Sequence, residues 1–547
     1  MGTDKKNITL HEAAFYLFFM LMFGMRMWGI YESKPLYAPL LAVGFLMWGI
    51  SIISDRHSVL DYMIIAAFMG LAGVVYLHTG EKGLLLYFAL MLGMKSIDIK
   101  RLFRSGIYIG GSGMAVLSFL SAFGIIEDIS FAQLRNALGA VFRRSLGFPH
   151  PNTLSSSFTI IAMMIMFVVG HDDRKRVWRY SGLMLGIGAY LYMYSGSRTG
   201  LLTLAGFLAL NIVYTYRQMI GAVEKAVVAL LFPVIWVVTI LVPFVVTPDI
   251  VEKIRAYDYN FGSRYEVASY FIENNSISLF GIRLNNPEGN LYGIDFSQLY
   301  LLLQLGLVAF AVVTALWIML LRDEVKCGRI GELIVTVSLL IMGISDPFLY
   351  NIGFKNLAFA FMGVVLYKHI GYWEKSLSSL SLFRGKEIQP LKIGNAQIKV
   401  PSIIKTEGVV KPVNVKNTKR AAVAMTALFF ATALLLYIMT PAPEYVLADR
   451  NCGEKSDQVY VGLEGSTYTG NDIAQIKREG NFVIDYTDEN ELMYVYYADQ
   501  NDPIPGGFYA PNAAAIEKLR RSVSVFFWGI MTALVGIKIV NFLHKHS

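Results

Sequence analysis

Cysteine is almost missing from this chain, with two in 547 residues, Cys327 and Cys452. The charge pattern places the first in a cytoplasmic loop and the second outside, so they cannot pair and no disulfide is expected. No cleavable leader is expected at the N-terminus, because the first apolar run is too long and has no small-residue cleavage site. No Asp-x-Asp pair occurs in the two long loops of the core, and Glu127-Asp128 reads as a helix end, so no metal site and no cofactor are expected. Charged residues make up only 16% of the chain against 55% hydrophobic, and the mean hydropathy is +0.49. A soluble fold of this length would not carry that balance in regular runs, so the solvent for most of the chain is lipid.

What is present is a series of fourteen apolar stretches. They lie near residues 13–30, 40–53, 60–76, 83–93, 106–126, 155–169, 177–194, 200–216, 223–246, 300–321, 334–343, 357–366, 421–439 and 523–540. The fourth, eleventh and twelfth are short. Lys and Arg favour loops that stay in the cytoplasm. Lys5, Lys6, Arg56, Lys95, Lys100, Arg101, Arg104, the Arg174 to Arg179 cluster, Arg322, Lys326 and Arg329 all fall on one side if the N-terminus is inside. The Lys-rich stretch 368–420 and the tail 543–547 join them. The chain is therefore expected to be an all-α multi-pass protein of a bacterial cytoplasmic membrane, with both termini cytoplasmic. The net charge of +8 is mostly this orientation signal and does not indicate nucleic-acid binding.

Five regions follow. Residues 1–370 form a twelve-helix membrane core, 371–420 a cytoplasmic linker alternating Lys with Ile, Val and Pro, and 421–440 a further transmembrane helix. Residues 441–521 form a small, acidic, Tyr-rich α+β module outside, with strand-like pieces at Gln458-Val-Tyr-Val-Gly-Leu and Leu492-Met-Tyr-Val-Tyr-Tyr, and 522–547 the last helix and tail. The linker reads as a solvated tether that can lie on anionic lipid. Asp485, Asp488 and Glu489 read as a solvated acidic turn. Two outward loops are long, 127–152 and 247–297, and long connections in a tight bundle are where function concentrates.

Within those loops and beside them stand the candidate site residues. Arg198, in Tyr194-Ser-Gly-Ser-Arg-Thr-Gly, sits in a tight outward turn where its planar fork suits phosphate; snorkelling to headgroups is the alternative. Arg264, in Phe261-Gly-Ser-Arg-Tyr-Glu, is expected in the first turn of a helix capped by the Ser263/Glu266 pair, where a bound anion would reconcile a cation with the helix dipole. Phe131, Leu134, Leu138, Val141 and Phe142 predict an interfacial helix carrying Arg135, Arg143 and Arg144 at the headgroups, where three cations oppose the positive-inside trend and suit an anionic ligand, with lipid anchoring alone as the equal alternative. His150, held between Pro149 and Pro151, is a candidate base or phosphate donor, or a turn residue without a role. Asp295, at the outer entry of the tenth apolar run, is a candidate base, with a helix cap as the alternative. Arg26 and Asp346 are further boundary charges.

At these residues the chain resembles bacterial O-antigen and capsular polysaccharide polymerases, in the O-antigen ligase and polymerase family. The matching pieces are Pro149-His-Pro-Asn-Thr-Leu, Ser197-Arg-Thr-Gly, Ser263-Arg-Tyr-Glu leading into Ser278-Leu-Phe-Gly-Ile, and Ile294-Asp-Phe-Ser-Gln-Leu-Tyr running into Leu305-Gly-Leu-Val. The resemblance covers about residues 10–370. It implies a metal-independent membrane glycosyltransferase that joins polyprenyl-pyrophosphate-linked oligosaccharides on the outer face. Arg198 and Arg264 match the arginines that hold the pyrophosphate. Ligases of the family place a His where this chain has Asp295, which is closer to the polymerase pattern. The partners so implied are undecaprenyl-pyrophosphate-linked repeat units, membrane lipids, and flippase and chain-length-regulator proteins. A ligase-like transferase, a lipid-linked oligosaccharide flippase and a non-catalytic scaffold are the other readings; against the flippase, the chain has no internal repeat.

Overall fold

A computed structural model describes residues 7–126, 128–135, 139–257, 259–284, 293–377, 387–388, 398–399, 415–439, 459–461, 467–469, 482–486, 492–497 and 518–533. These residues are mostly helical. Helices α1 to α8 span Leu10–Met27, Tyr37–Ser54, Val59–Thr79, Gly83–Leu92, Ile99–Ala122, Pro151–Val169, Arg174–Ser195 and Arg198–Arg217. Next come α9 at Ala222–Trp236, a π-helical turn at Val237–Leu241, and α10 at Val242–Val245. Helices α11 to α17 span Pro248–Tyr257, Tyr259–Asn274, Ser297–Leu303, Leu307–Cys327, Ile330–Met342, Ala358–Leu377 and Val415–Met439. A last helix, α18, covers 518–533.

Among the described residues a helix overlaps each of the fourteen apolar runs, but six helical stretches are both long and apolar enough to cross a bilayer: α2, α3, α5, α6, α8 and the stretch Ala222–Val245. Only 22% of the residues in the α2 and α3 windows are buried, so their Leu, Ile and Val face outward, as lipid contact requires. This is the signature of a membrane protein. Other long helices carry charges, such as Glu12 and Arg26 in α1 and Arg322, Asp323 and Glu324 in α14. Helix α4 has ten residues and is buried over most of its length. At 1.5 Å per residue it reaches about 15 Å, half a hydrocarbon core, and an apolar helix with no polar face belongs inside protein.

The chain divides into two compact units. One contains residues 1–115, 156–188 and 198–404, the other 116–155, 189–197 and 405–547. In the first, the core is aromatic: Phe15, Phe18, Phe19, Phe23, Tyr87, Phe88, Phe103 and Trp317 are almost fully buried. Two helix irregularities shape it. Pro233 and Pro243 each lack an N–H, and the helix between them loosens into the π turn. Two side chains of α12 use the nearby carbonyls: Tyr265 Oη donates to Val238 O (3.2 Å) and Ser269 Oγ to Pro243 O (3.0 Å).

The other irregularity separates α13 from α14. Gly306 has φ +93 and Gly281 φ +83, and a Cβ on either would overlap the other segment's backbone. The first amides of α14 turn to that segment, Leu307 N donating to Ser278 O (2.9 Å) and Val308 N to Leu279 O (3.0 Å). The pieces Ser278-Leu-Phe-Gly and Leu305-Gly-Leu-Val, 27 positions apart, thus lie backbone to backbone.

Several expectations need correction. The interfacial helix over 131–142 is a two-stranded antiparallel hairpin, β3 (Ser130–Arg135) with β4 (Gly139–Arg144), in register Phe131↔Arg143 to Arg135↔Gly139. Ala132-Gln-Leu-Arg135 alternates apolar with polar, so the helical stripe competed with a short strand pattern and backbone pairing won. Helix α12 begins at Tyr259, so Ser263 and Glu266 are interior and Arg264 is the sixth residue, beyond the reach of the terminal dipole. The loop 247–297 itself contains α11 and α12. Helix α16 continues to Leu377 and α17 starts at Val415, shortening the linker at both ends; two of its dipeptides, Glu387–Ile388 and Ile398–Lys399, pair with His57–Ser58 and Asn7–Ile8. Of the 441–521 region, the described residues form two hairpins, Val459–Val461 with Thr467–Thr469 and Phe482–Tyr486 with Leu492–Tyr497, and the start of α18 at 518–521. Asp485 lies in the third of these strands, while Asp488, Glu489 and Cys452 are outside the described residues.

Candidate functional site

In the first unit, the helix ends that the charge alternation assigns to the outer side carry a cluster of charged and polar side chains. Arg264 projects from α12, whose docking on the π turn is set by its neighbour Tyr265, and Tyr265 also packs on Phe296 with ring centroids 5.3 Å apart. Arg264 Nε meets Asp295 Oδ2 at 3.1 Å. These two residues were proposed separately from sequence and are brought together here. The Asp295 side chain is 48% exposed, yet protein packs densely around the carboxyl. Burial therefore raises its pKa, and the Arg264 guanidinium only partly offsets that.

Two residues beyond Asp295, Ser297 Oγ donates to Asp346 O (2.6 Å) and Ser297 N to Gly343 O (3.0 Å), fixing the turn between α15 and α16 beside it. Asp346 caps that turn by accepting from Phe348 N (3.1 Å). Burial lifts its carboxyl to about 6. In the same turn stands Lys355, 5% exposed, whose Nζ donates to Ser156 Oγ in α6 (2.7 Å). Burial brings its ammonium down to about 8, with Asp346 opposing the shift. The preceding residue, Phe354, has φ +53, an uncommon conformation for a bulky side chain. It is held there by Phe18, Phe19 and Tyr87, with ring centroids 5.9–6.1 Å away. Backbone strain of this kind persists where packing over-determines it.

At the edge of the cluster, Glu81 Oε1 accepts from Gln304 Nε2 (2.6 Å), and burial raises the Glu81 pKa. Arg26, 2% exposed, makes a two-pronged bond to Glu32 (2.9 and 3.2 Å) and stacks over Tyr37 and Tyr31. Burial pushes Glu32 up, but those guanidinium bonds outweigh it and its pKa falls. Arg198, the first residue of α8, belongs to this unit and is exposed.

The second unit holds the remaining candidates. Arg143 is buried, with Nε on Ser195 O (2.6 Å) and Nη2 on Asn152 Oδ1 (2.5 Å). Arg144 Nε pairs with Asp128 Oδ2 (2.9 Å) and stacks on Tyr194 at 5.9 Å. Asp128 also accepts from Ser145 Oγ and Gly147 N, so it organises the hairpin's exit and is not a helix end. His150 precedes α6, and its Nδ1 accepts from Asn152 N (3.1 Å), which puts the proton of a neutral ring on Nε2. Arg135 ends β3 opposite Gly139.

Sequence reasoning missed Lys355, whose signal was available: it is the one Lys or Arg between the eleventh and twelfth apolar runs, on the side the positive-inside trend disfavours. Among the described residues no group of three His, Cys, Asp or Glu is placed to hold a metal ion. No protein-family model matches this chain, and neither does any curated protein or solved structure.

Proposed function

We propose that the protein is a glycan polymerase that joins undecaprenyl-pyrophosphate-linked oligosaccharide repeat units at the outer face of a bacterial cytoplasmic membrane, crossing it fourteen times with both termini inside. The observation that carries this reading is the Arg264–Asp295 pair, an anion-binding group and a carboxylate of raised basicity in contact at one end of an apolar helix bundle.

The donor's pyrophosphate takes Arg264 and Arg198, since guanidinium forks match phosphate oxygens. Asp295 then loses its counter-charge and becomes more basic as the acceptor arrives. An acceptor sugar hydroxyl gives its proton to Asp295 while its oxygen bonds to the donor's anomeric carbon. The bond from that carbon to the pyrophosphate oxygen breaks, and its electron pair leaves with undecaprenyl pyrophosphate, whose added charge the two arginines neutralise. Arg143 is committed to backbone and Asn152, so the hairpin arginines have a supporting place in this scheme.

Membranes containing the chain, supplied with lipid-linked repeat units, are expected to lengthen the glycan, and Arg198→Ala to leave single units. Intact polymer from Arg198→Ala overturns the arginine's role. Transport of units without lengthening identifies a flippase, transfer to a different acceptor a ligase-like enzyme, and neither activity a scaffold.

A further inference from the structure

In the second unit the C-terminal end of α7 is closed by two arginines from distant parts of the chain. The last carbonyls of a helix have no partner within it. Here Arg520 of α18 donates through Nε to Met193 O (2.7 Å) and through Nη2 to Tyr194 O (3.4 Å), while Arg143 of β4 donates to Ser195 O. A cation at a helix C-terminus also complements the helix dipole. Arg520 is 2% exposed and lies over the Tyr194 ring at 5.5 Å, with Arg144 over the same ring. Ser524, one turn further along α18, bonds the hydroxyls of Tyr190 (3.0 Å) and Tyr194, and Trp528 Nε1 donates to Tyr190 Oη (2.9 Å). Helix α18 is thus joined to α7 by a ladder of buried polar contacts at positions 520, 524 and 528.

We infer that Arg520 is a positioning residue for the turn Ser195-Gly-Ser197, which leads directly into Arg198. Capping three successive carbonyls fixes where α7 stops, and Gly196 at φ +56 sets the direction in which the chain leaves. The C-terminal helix is therefore a working part of the polymerase, where the sequence alone gave it no role. The inference rests on Arg198 holding the pyrophosphate, and its test separates the two.

In the full-length chain with Cys327 and Cys452 replaced by serine, a cysteine is placed at Ser197 and its labelling by a membrane-impermeant maleimide is timed, alone and with Arg520→Ala or Arg520→Lys. Loss of charge-assisted bonds to backbone is expected to change the labelling rate roughly tenfold in Arg520→Ala. Arg520→Lys, which keeps one donor to Met193 O, recovers part of it. In membranes of the cysteine-containing parent, Arg520→Ala is expected to raise KM for lipid-linked repeat units about tenfold with a smaller fall in kcat, and Arg520→Lys to restore part of the loss. Identical labelling in all three overturns the inference. Changed labelling with unaltered polymer formation supports the clamp and overturns the role given to Arg198.

Discussion

Arg264 Nε and Asp295 Oδ2 lie 3.1 Å apart and tie α12 to the entry of α13 across 31 positions of sequence. With side chains 17% and 48% exposed, the pair stabilises the fold by about 1 kcal/mol or less. Its removal should therefore cost activity far more than stability. Arg264→Ala is expected to lower glycan lengthening by roughly 10²- to 10³-fold, the cost of losing a preorganised donor to a developing anion. Its thermal midpoint in detergent should move by about 4 °C or less. Assay of membranes beside fluorescence-monitored melting checks both; normal lengthening would sink the assignment.

The proposed activity is expected to have a pH window set by Asp346 and Lys355, whose turn is bonded through Ser297 close to Asp295. The carboxyl is raised to about 6 and the ammonium lowered to about 8, so between those values the turn contains both an anion and a cation. Below about 6 Lys355 loses its nearby anion, and above about 8 Asp346 loses its cation. A bell-shaped profile with limbs near these values is expected, and Lys355→Met should erase the alkaline limb. The stability sign is opposite. A raised acid pKa disfavours folding above about 6 and is relieved as pH falls toward 3.8, while a lowered Lys pKa disfavours folding below about 8 and is relieved toward 10.5. Melting against pH should show Asp346→Asn more stable than the parent at pH 7 and little different near pH 4.

Gly281→Ala or Gly306→Ala should reduce the amount of folded protein in membranes. Each places a Cβ in the left-handed region, costing about 1–3 kcal/mol before the overlap with backbone is counted. Gly293→Ala, with nothing within 4 Å of its added carbon, is the neutral control. Equal abundance of all three would contradict the described packing.

Tyr265→Phe removes the hydroxyl from Val238 O at the π turn and should cost about 1 kcal/mol. Because Tyr265 orients α12, lengthening should fall along with the melting midpoint, whereas Tyr270→Phe on the same helix should leave both unchanged.

The helices were legible because little besides a membrane or a buried core demands apolar runs of this length, and each run does contain a helix. What the sequence left hidden depended on pairing. The stripe Phe131, Leu134, Leu138 satisfies a helix, and only backbone bonds between Phe131 and Arg143 decide for a hairpin. Ser263 and Glu266 have capping spacing, but Tyr259-Asn-Phe-Gly continues the helix in front of them, and local spacing carries no record of that. Arg264 and Asp295 were each identifiable by residue type, yet their contact depends on Tyr265 docking to a π turn created by Pro233 and Pro243. Lys355 could have been found as the one Lys or Arg between the eleventh and twelfth apolar runs. The cap that Arg520 provides joins residues more than 300 positions apart, and no periodicity encodes such a contact.

The interruption between α13 and α14 has a consequence for biogenesis. A helix that breaks at bilayer depth exposes amides that hydrocarbon cannot satisfy, and here the carbonyls of Ser278 and Leu279 take the first two. Those carbonyls belong to a stretch synthesised before α14. Helix α14 therefore cannot satisfy its first amides until residues 278–279 lie beside it, which fixes an order of events in folding and makes residues 278–281 a poor place for an epitope tag.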